Sequence, residues 1–164
     1  MAHKFRIVGS CPCPENIAPY IEIITRDAMA MVNSIYRGDD ARALLNAHGH
    51  SSQAQLFAGW EARRPGFLPA NPPGRSTHEL KSDGLAYPSV SPGEDLPWWG
   101  QGFDVNDADV LRVIMAARKH GWSVFRPYTS GSEFHHLNFL REPKPMTLRM
   151  RARITRTRLT LPRR

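Results

Sequence analysis

The sequence predicts an α+β domain in which a small antiparallel sheet is flanked by helices. Three observations carry this reading. Apolar residues recur at helical spacing in the first third, strand-like runs cluster after residue 100, and a Pro/Gly-rich stretch too long for a simple connection separates the two.

In chain order, "IAPYIEIITRDAMAMVNSIY" places Ile17, Ile21, Ile24, Ala28, Met31 and Ile35 on one helical face, and "YRGDD" interrupts it. The spacing predicts a helix of about five turns. Asp39 or Asp40 is positioned to cap a short second helix, "ARALLNA". "SSQAQLFAGWEARR" predicts a third, capped by Ser51 or Ser52 and ended by Pro65. Residues 65 to 102 read as a functional loop region. "GFDV" predicts a short strand, and "NDADVLRVIMAARKHG" a helix capped by Asn106 or Asp107 and closed by Gly121. "WSVFRPY" and "EFHHLNFL", joined by "TSGS", predict a hairpin.

At 164 residues and 41% hydrophobic content, the chain is sized for one core. Nothing near the start resembles a secretion signal, and no stretch is apolar enough to span a bilayer. Cys11 and Cys13, in "CPCP", are too few for a disulfide framework and read as reduced thiols. The net charge of +7 is unevenly placed. Seven of the 22 Lys and Arg residues lie from Arg149 onward with no acid among them, so the other 15 balance the 15 acidic side chains of the body. Residues 149–164 are therefore a cationic tail on a neutral domain spanning 1–148. Such a tail suits anionic surfaces such as wall polymers, phospholipid or nucleic acid, or it is simply a solvated terminus.

The residues able to carry chemistry come from three places. Alternation along "EFHHLNF" sends Phe134, His136 and Asn138 to one face and His135, Leu137 and Phe139 to the other, so only one histidine can face a given site. In "GFDV", Asp104 alternates with Phe103 and Val105, and a carboxylate inside an apolar strand needs a partner or a metal. His78 follows a glycine-containing turn in "PPGRSTHE". Two histidines and an aspartate from separate elements would make a three-ligand zinc site with an open fourth position, and Glu133 would be its base. The alternative for each is ordinary: a loop hydrogen-bonder at His78, a helix cap at Asp104.

These residues, in this order, resemble the zinc peptidases that include D-alanyl-D-alanine carboxypeptidases, vancomycin-resistance dipeptidases and phage L-alanyl-D-glutamate endolysins. That family carries Ser-x-His, Gly-x-Ala-x-Asp and Glu-x-x-His. Here stand Ser76-Thr77-His78, Gly100-Gln101-Gly102-Phe103-Asp104 with glycine in the alanine position, and Glu133-Phe134-His135-His136. Tyr36-Arg37-Gly38 with Gln53, Leu56 and Phe57 resembles the family's arginine-bearing helix end, so the likeness runs from about residue 17 to 143.

The resemblance implies a Hedgehog/DD-peptidase-like fold and zinc held by His78, Asp104 and His136. It implies Glu133 as general acid/base, Arg37 on a substrate carboxylate or developing oxyanion, and Ser76 and Gln53 among the substrate-binding residues. Two departures stand out. His78 and Asp104 are 26 positions apart, farther than is usual, which makes the intervening stretch an insertion and leaves Asp83 as a rival third ligand. His135 stands where tryptophan is common. Since Glu133 and His136 fall on opposite faces of a regular strand, Glu133 is expected in an irregular lip before the strand starts.

The function expected is hydrolysis of peptidoglycan peptides by a monomeric zinc metallopeptidase of phage endolysin type. It would be made in a host cytoplasm without a signal peptide, act at the cell wall after release, and attach to anionic wall or membrane surfaces through its arginine tail, with no dedicated nucleic-acid partner. The rival classes are a metal-dependent nuclease of the His-Asn type and a non-catalytic wall-binding module. "LREPKPMTL" breaks with two prolines where such a nuclease needs a helix, and the presence of Glu133 speaks against the binding module.

Overall fold

The computed structural model describes residues 4–79, 102–126 and 135–139. Among these are six strands and four α-helices. A hairpin of β1 (Phe5–Val8) and β2 (Cys11–Pro14) precedes α1 (Ala18–Asp27) and β3 (Val32–Ser34). Then come α2 (Arg42–Ala47), α3 (Gln53–Glu61), β4 (Gly102–Val105), α4 (Val110–Lys119), β5 (Val124–Phe125) and β6 (His136–Phe139). The architecture is α+β with antiparallel strands, as the sequence predicts, but the described strands form two small sheets where the sequence pointed to one. The larger sheet has the order β3-β4-β6-β5, and the first hairpin forms the other.

The long first helix is corrected. It stops at Asp27, and the chain becomes β3 five residues later. The stop is a Schellman motif: Ala30 N–H donates to the Thr25 carbonyl at 2.8 Å and Met29 N–H to Arg26 at 3.0 Å, with Met29 at φ 51°. A methionine in the left-handed region gives no glycine signal, and the apolar spacing runs straight past it. The third helix ends the same way. Arg63 takes φ 51°, and Arg64 N–H donates to Gly59, so the helix closes before Pro65 is reached. At its start, Ser52 forms a full capping box with Gln55, resolving the choice between Ser51 and Ser52. Gly121, at φ 73°, closes α4 as expected. Neither Asp39 nor Asp40 makes a side-chain cap. Asn106 and Asp107 make none either, and a short 3-10 turn precedes both α2 and α4.

"CPCP" is a strand that the sequence reading missed. Its two prolines are tolerated because β2 pairs within the sheet only with β1. Cys11 and Cys13 are free and fully buried, and burial pushes both thiols up from their ordinary pKa, so they act as small apolar core residues. They pack in one cluster with Ile17 at the N-cap of α1, Ile21 and Ile24 within it, Val113 and Ala117 of α4, and Phe103, Val105 and Leu137 of the sheet. No helix among the described residues is long and apolar enough to cross a membrane. β5 and β6 pair antiparallel as the predicted hairpin requires. The "TSGS" turn, Asp83, Glu133 and the arginine tail lie outside the described residues.

Candidate metal centre

Three segments meet on one face of the sheet. The β4–β6 register sets Asp104 opposite His136, with Phe103 opposite Leu137. Alternation therefore puts Asp104 and His136 on the same face, and turns Phe103 and Leu137 into the core. The third segment is the loop that carries His78 and Glu79. Its buried carboxylate accepts from the amides of Gly74 (2.7 Å) and Ser76 (3.3 Å), and Ser76 Oγ accepts from His78 N–H at 3.2 Å. Two backbone bonds then pin the loop to the sheet: Arg37 N–H donates to the His78 carbonyl at 2.8 Å and Gly102 N–H to the Thr77 carbonyl at 2.7 Å.

The result is a buried cluster of His78, Asp104 and His136 able to hold a metal ion. His78 Nε2 lies 3.0 Å from His136 Nδ1 and 3.2 Å from Asp104 Oδ1, and His136 Nδ1 lies 2.8 Å from that same oxygen. The ring nitrogens facing away from the centre are engaged. His78 Nδ1 donates to the Ile35 carbonyl at 2.7 Å, and His136 Nε2 meets the Thr77 hydroxyl at 3.0 Å. In the tautomers that donate the outer N–H to the Ile35 carbonyl and the Thr77 hydroxyl, two imidazole lone pairs and a carboxylate oxygen converge on one point. Such an arrangement calls for a cation.

The donor set also fits in size. Ligand atoms around a tetrahedral zinc with bonds of about 2.0–2.1 Å stand about 3.3 Å apart, close to the separations seen here.

The electrostatics agree. Burial first, and then the nearby Arg37 charge, lower the His78 pKa to about 4, which leaves the ring neutral and ready to ligate at neutral pH. Burial pushes Asp104 up, but His78, His136 and Arg37 outweigh it and hold the carboxyl well below its ordinary value. Arg37 Nη2 donates to the far oxygen, Oδ2, at 2.5 Å and Nε to Ser34 Oγ at 2.8 Å, so Oδ1 is left for the centre.

The glycine in the resemblance's alanine position has a steric cause. A Cβ on Gly102 would lie 2.5 Å from Thr77 Oγ1 and 2.7 Å from His136 Cε1. Thr77 is thus a site residue that sequence reasoning passed over, and only its place between Ser76 and His78 pointed to it. Asn138 shares the face, and its buried Oδ1 has no hydrogen-bond partner among the described residues.

A cleft of about 390 Å³ opens beside the cluster, lined by Asn33, Ser34, Arg37, Asp104, Val105, Asn106, Asp107 and His135. His135 thus faces this rim, with Nδ1 3.8 Å from Asp107 Oδ1, while His136 points inward. Ser76 and Gln53 do not line the cleft. Ser76 holds the His78 turn, and Gln53 receives its place from a backbone bond to the Arg37 carbonyl (2.6 Å) and a side-chain bond to the Asn71 carbonyl (2.7 Å). The chain matches no protein-family model, no curated protein and no solved structure, so the geometry of the cluster is what bears on function.

Proposed function

We propose that the chain is a zinc-dependent peptidase that hydrolyses peptide bonds of bacterial peptidoglycan, with a Hedgehog/DD-peptidase-like fold and the role of a phage endolysin. The observation that carries this reading is the convergence of His78 Nε2, Asp104 Oδ1 and His136 Nδ1, one from each of the three motifs that resemble the family's. Two imidazoles and one carboxylate form the donor set of a hydrolytic zinc site with a position left open. When bound, zinc supplies Lewis acidity and brings the pKa of a water ligand to about 7.

The chain's own residues do the rest. Glu133 takes a proton from the attacking water and passes it to the leaving amine. Arg37, already fixed by Asp104 and Ser34, has further N–H donors for a peptide carboxylate in the cleft it lines. Peptidoglycan stem peptides, with their D-residues and free carboxylates, fit that end of the cleft. Ser76 and Gln53 act one step removed, by holding the loop and the Arg37 backbone. Residues 149–164 bring the enzyme to the anionic wall.

The test is to incubate the purified chain with peptidoglycan and with plasmid DNA, each with and without chelator, and to identify released muropeptides by mass spectrometry. Chelator-sensitive release of peptides is expected. Chelator-sensitive cutting of DNA alone would overturn the reading in favour of a nuclease, and binding to peptidoglycan without turnover in favour of a wall-binding module. Glu133→Gln is expected to keep its metal and lose about 10²- to 10⁴-fold in rate. Near-normal turnover in that variant would remove Glu133 from the chemistry.

A further inference from the structure

We infer that the outer face of α4 is a docking surface for an anionic lipid bilayer. Two large apolar side chains stand in solvent here about one helical turn apart, Leu111 at 69% exposure and Met115 at 68%.

The charge pattern identifies the occupant. Positions 111, 112, 115, 118 and 119 are the exposed ones on α4 outside its ends. Viewed down a helix of 3.6 residues per turn, they follow one another as Arg118, Leu111, Met115, Lys119, Arg112. Two apolar side chains are thus bracketed by cations on both sides, and no acid lies on this stripe. Near its N-terminal end Arg112 is paired with Asp109, and the exposed Asp107 of the preceding turn lies 3.8 Å from His135, so Arg118 on one side and Lys119 on the other are the cations that flank Leu111 and Met115. Apolar side chains entering the headgroup boundary, with lysine and arginine reaching sideways to phosphates, is how an amphipathic helix lies on an anionic bilayer.

A nucleic acid would use the cations and leave Leu111 and Met115 in water. This surface does not depend on the metal site or on peptidase activity.

The experiment measures co-sedimentation of the full chain with phosphatidylglycerol/phosphatidylcholine vesicles and with phosphatidylcholine vesicles at about 0.15 M salt. Two double variants are compared with the parent: Leu111→Ser with Met115→Ser, and Arg118→Gln with Lys119→Gln. All carry the same tail, so its contribution cancels. The parent is expected to prefer the anionic vesicles. Each pair should lower that partitioning about tenfold, with metal content and melting temperature unchanged. Equal partitioning of parent and both variants would overturn the inference and assign any vesicle binding to the tail. A parent that sediments alone as a dimer, and becomes monomeric in the Leu111→Ser/Met115→Ser pair without change in vesicle binding, would also overturn it, giving the face to a second copy.

Discussion

Strands β4 and β6 have two faces, equally buried and held by opposite means. Toward α1 and α4, Phe103, Val105 and Leu137 are fully buried in an apolar cluster. Toward the 71–79 loop, Asp104, His136 and Asn138 are between 3% and 5% exposed, among lone pairs and N–H groups. The first face works by volume, since apolar contact has no direction and another side chain of similar size would serve. The second works by atom positions: shifting one nitrogen by an ångström removes it from the centre. Depth alone therefore does not mark the functional face. The mark is that acceptors are aimed at one another, a costly arrangement unless a cation sits between them.

Substitutions at Asp104, Leu137 and Thr77 separate the two faces, the largest effect first. Asp104→Asn should release the metal and lower peptide hydrolysis by at least about 10³-fold, since metal assistance is worth several kcal/mol. Asp83→Asn should leave about one metal per chain. Metal analysis of both variants decides the third ligand, and metal lost from the Asp83 variant but kept by the Asp104 variant would reverse the assignment.

Leu137→Ala, on the opposite face of the strand next to His136, should cost about 2–5 kcal/mol in denaturant unfolding. Its folded fraction should still bind metal with parental affinity. Loss of affinity there would show that the two faces are not independent.

Thr77→Val keeps the shape beside His136 and removes the hydroxyl that holds its outer nitrogen. Metal affinity should fall about 10- to 100-fold in a chelator competition, and Thr77→Ser should recover most of it. Equal affinity in all three would reduce Thr77 to a packing residue.

The smallest effect belongs to Asp27, on neither face. Burial raises its pKa, but the His120 and Arg26 partners outweigh this and lower it below its ordinary value. A carboxyl with a depressed folded pKa contributes stability above its unfolded pKa and loses it as pH falls through the folded one. Below about pH 4, Asp27→Asn should therefore lose less stability on acidification than the parent does. Parallel stability curves for the two proteins from neutral pH down to that range would remove this pair from the acid response.

Sequence alone determined the elements whose signals are local. Alternation in "GFDV" and "HLNF" marked two strands and the side of its own strand that Asp104 or His136 takes, and Gly121 marked the end of α4, because a glycine at a left-handed position is readable without knowing its neighbours. The order of the three motifs, through the family they resemble, singled out His78, Asp104 and His136, which the structure brings into one cluster able to hold a metal ion. Tertiary structure alone decided where α1 and α3 stop, since Met29 and Arg63 take left-handed backbone with no local preference for it. It also made a strand of "CPCP", which has a place only as the partner of β1 with its cysteines in the core. The support behind the ligands belongs to the same class. Thr77 on His136, the Ile35 carbonyl on His78 and Arg37 on Asp104 join residues 43 to 67 positions apart. Periodicity reports which face a side chain takes. Which atom it meets there is set by segments distant in the chain, and only their packing brings them within hydrogen-bond reach.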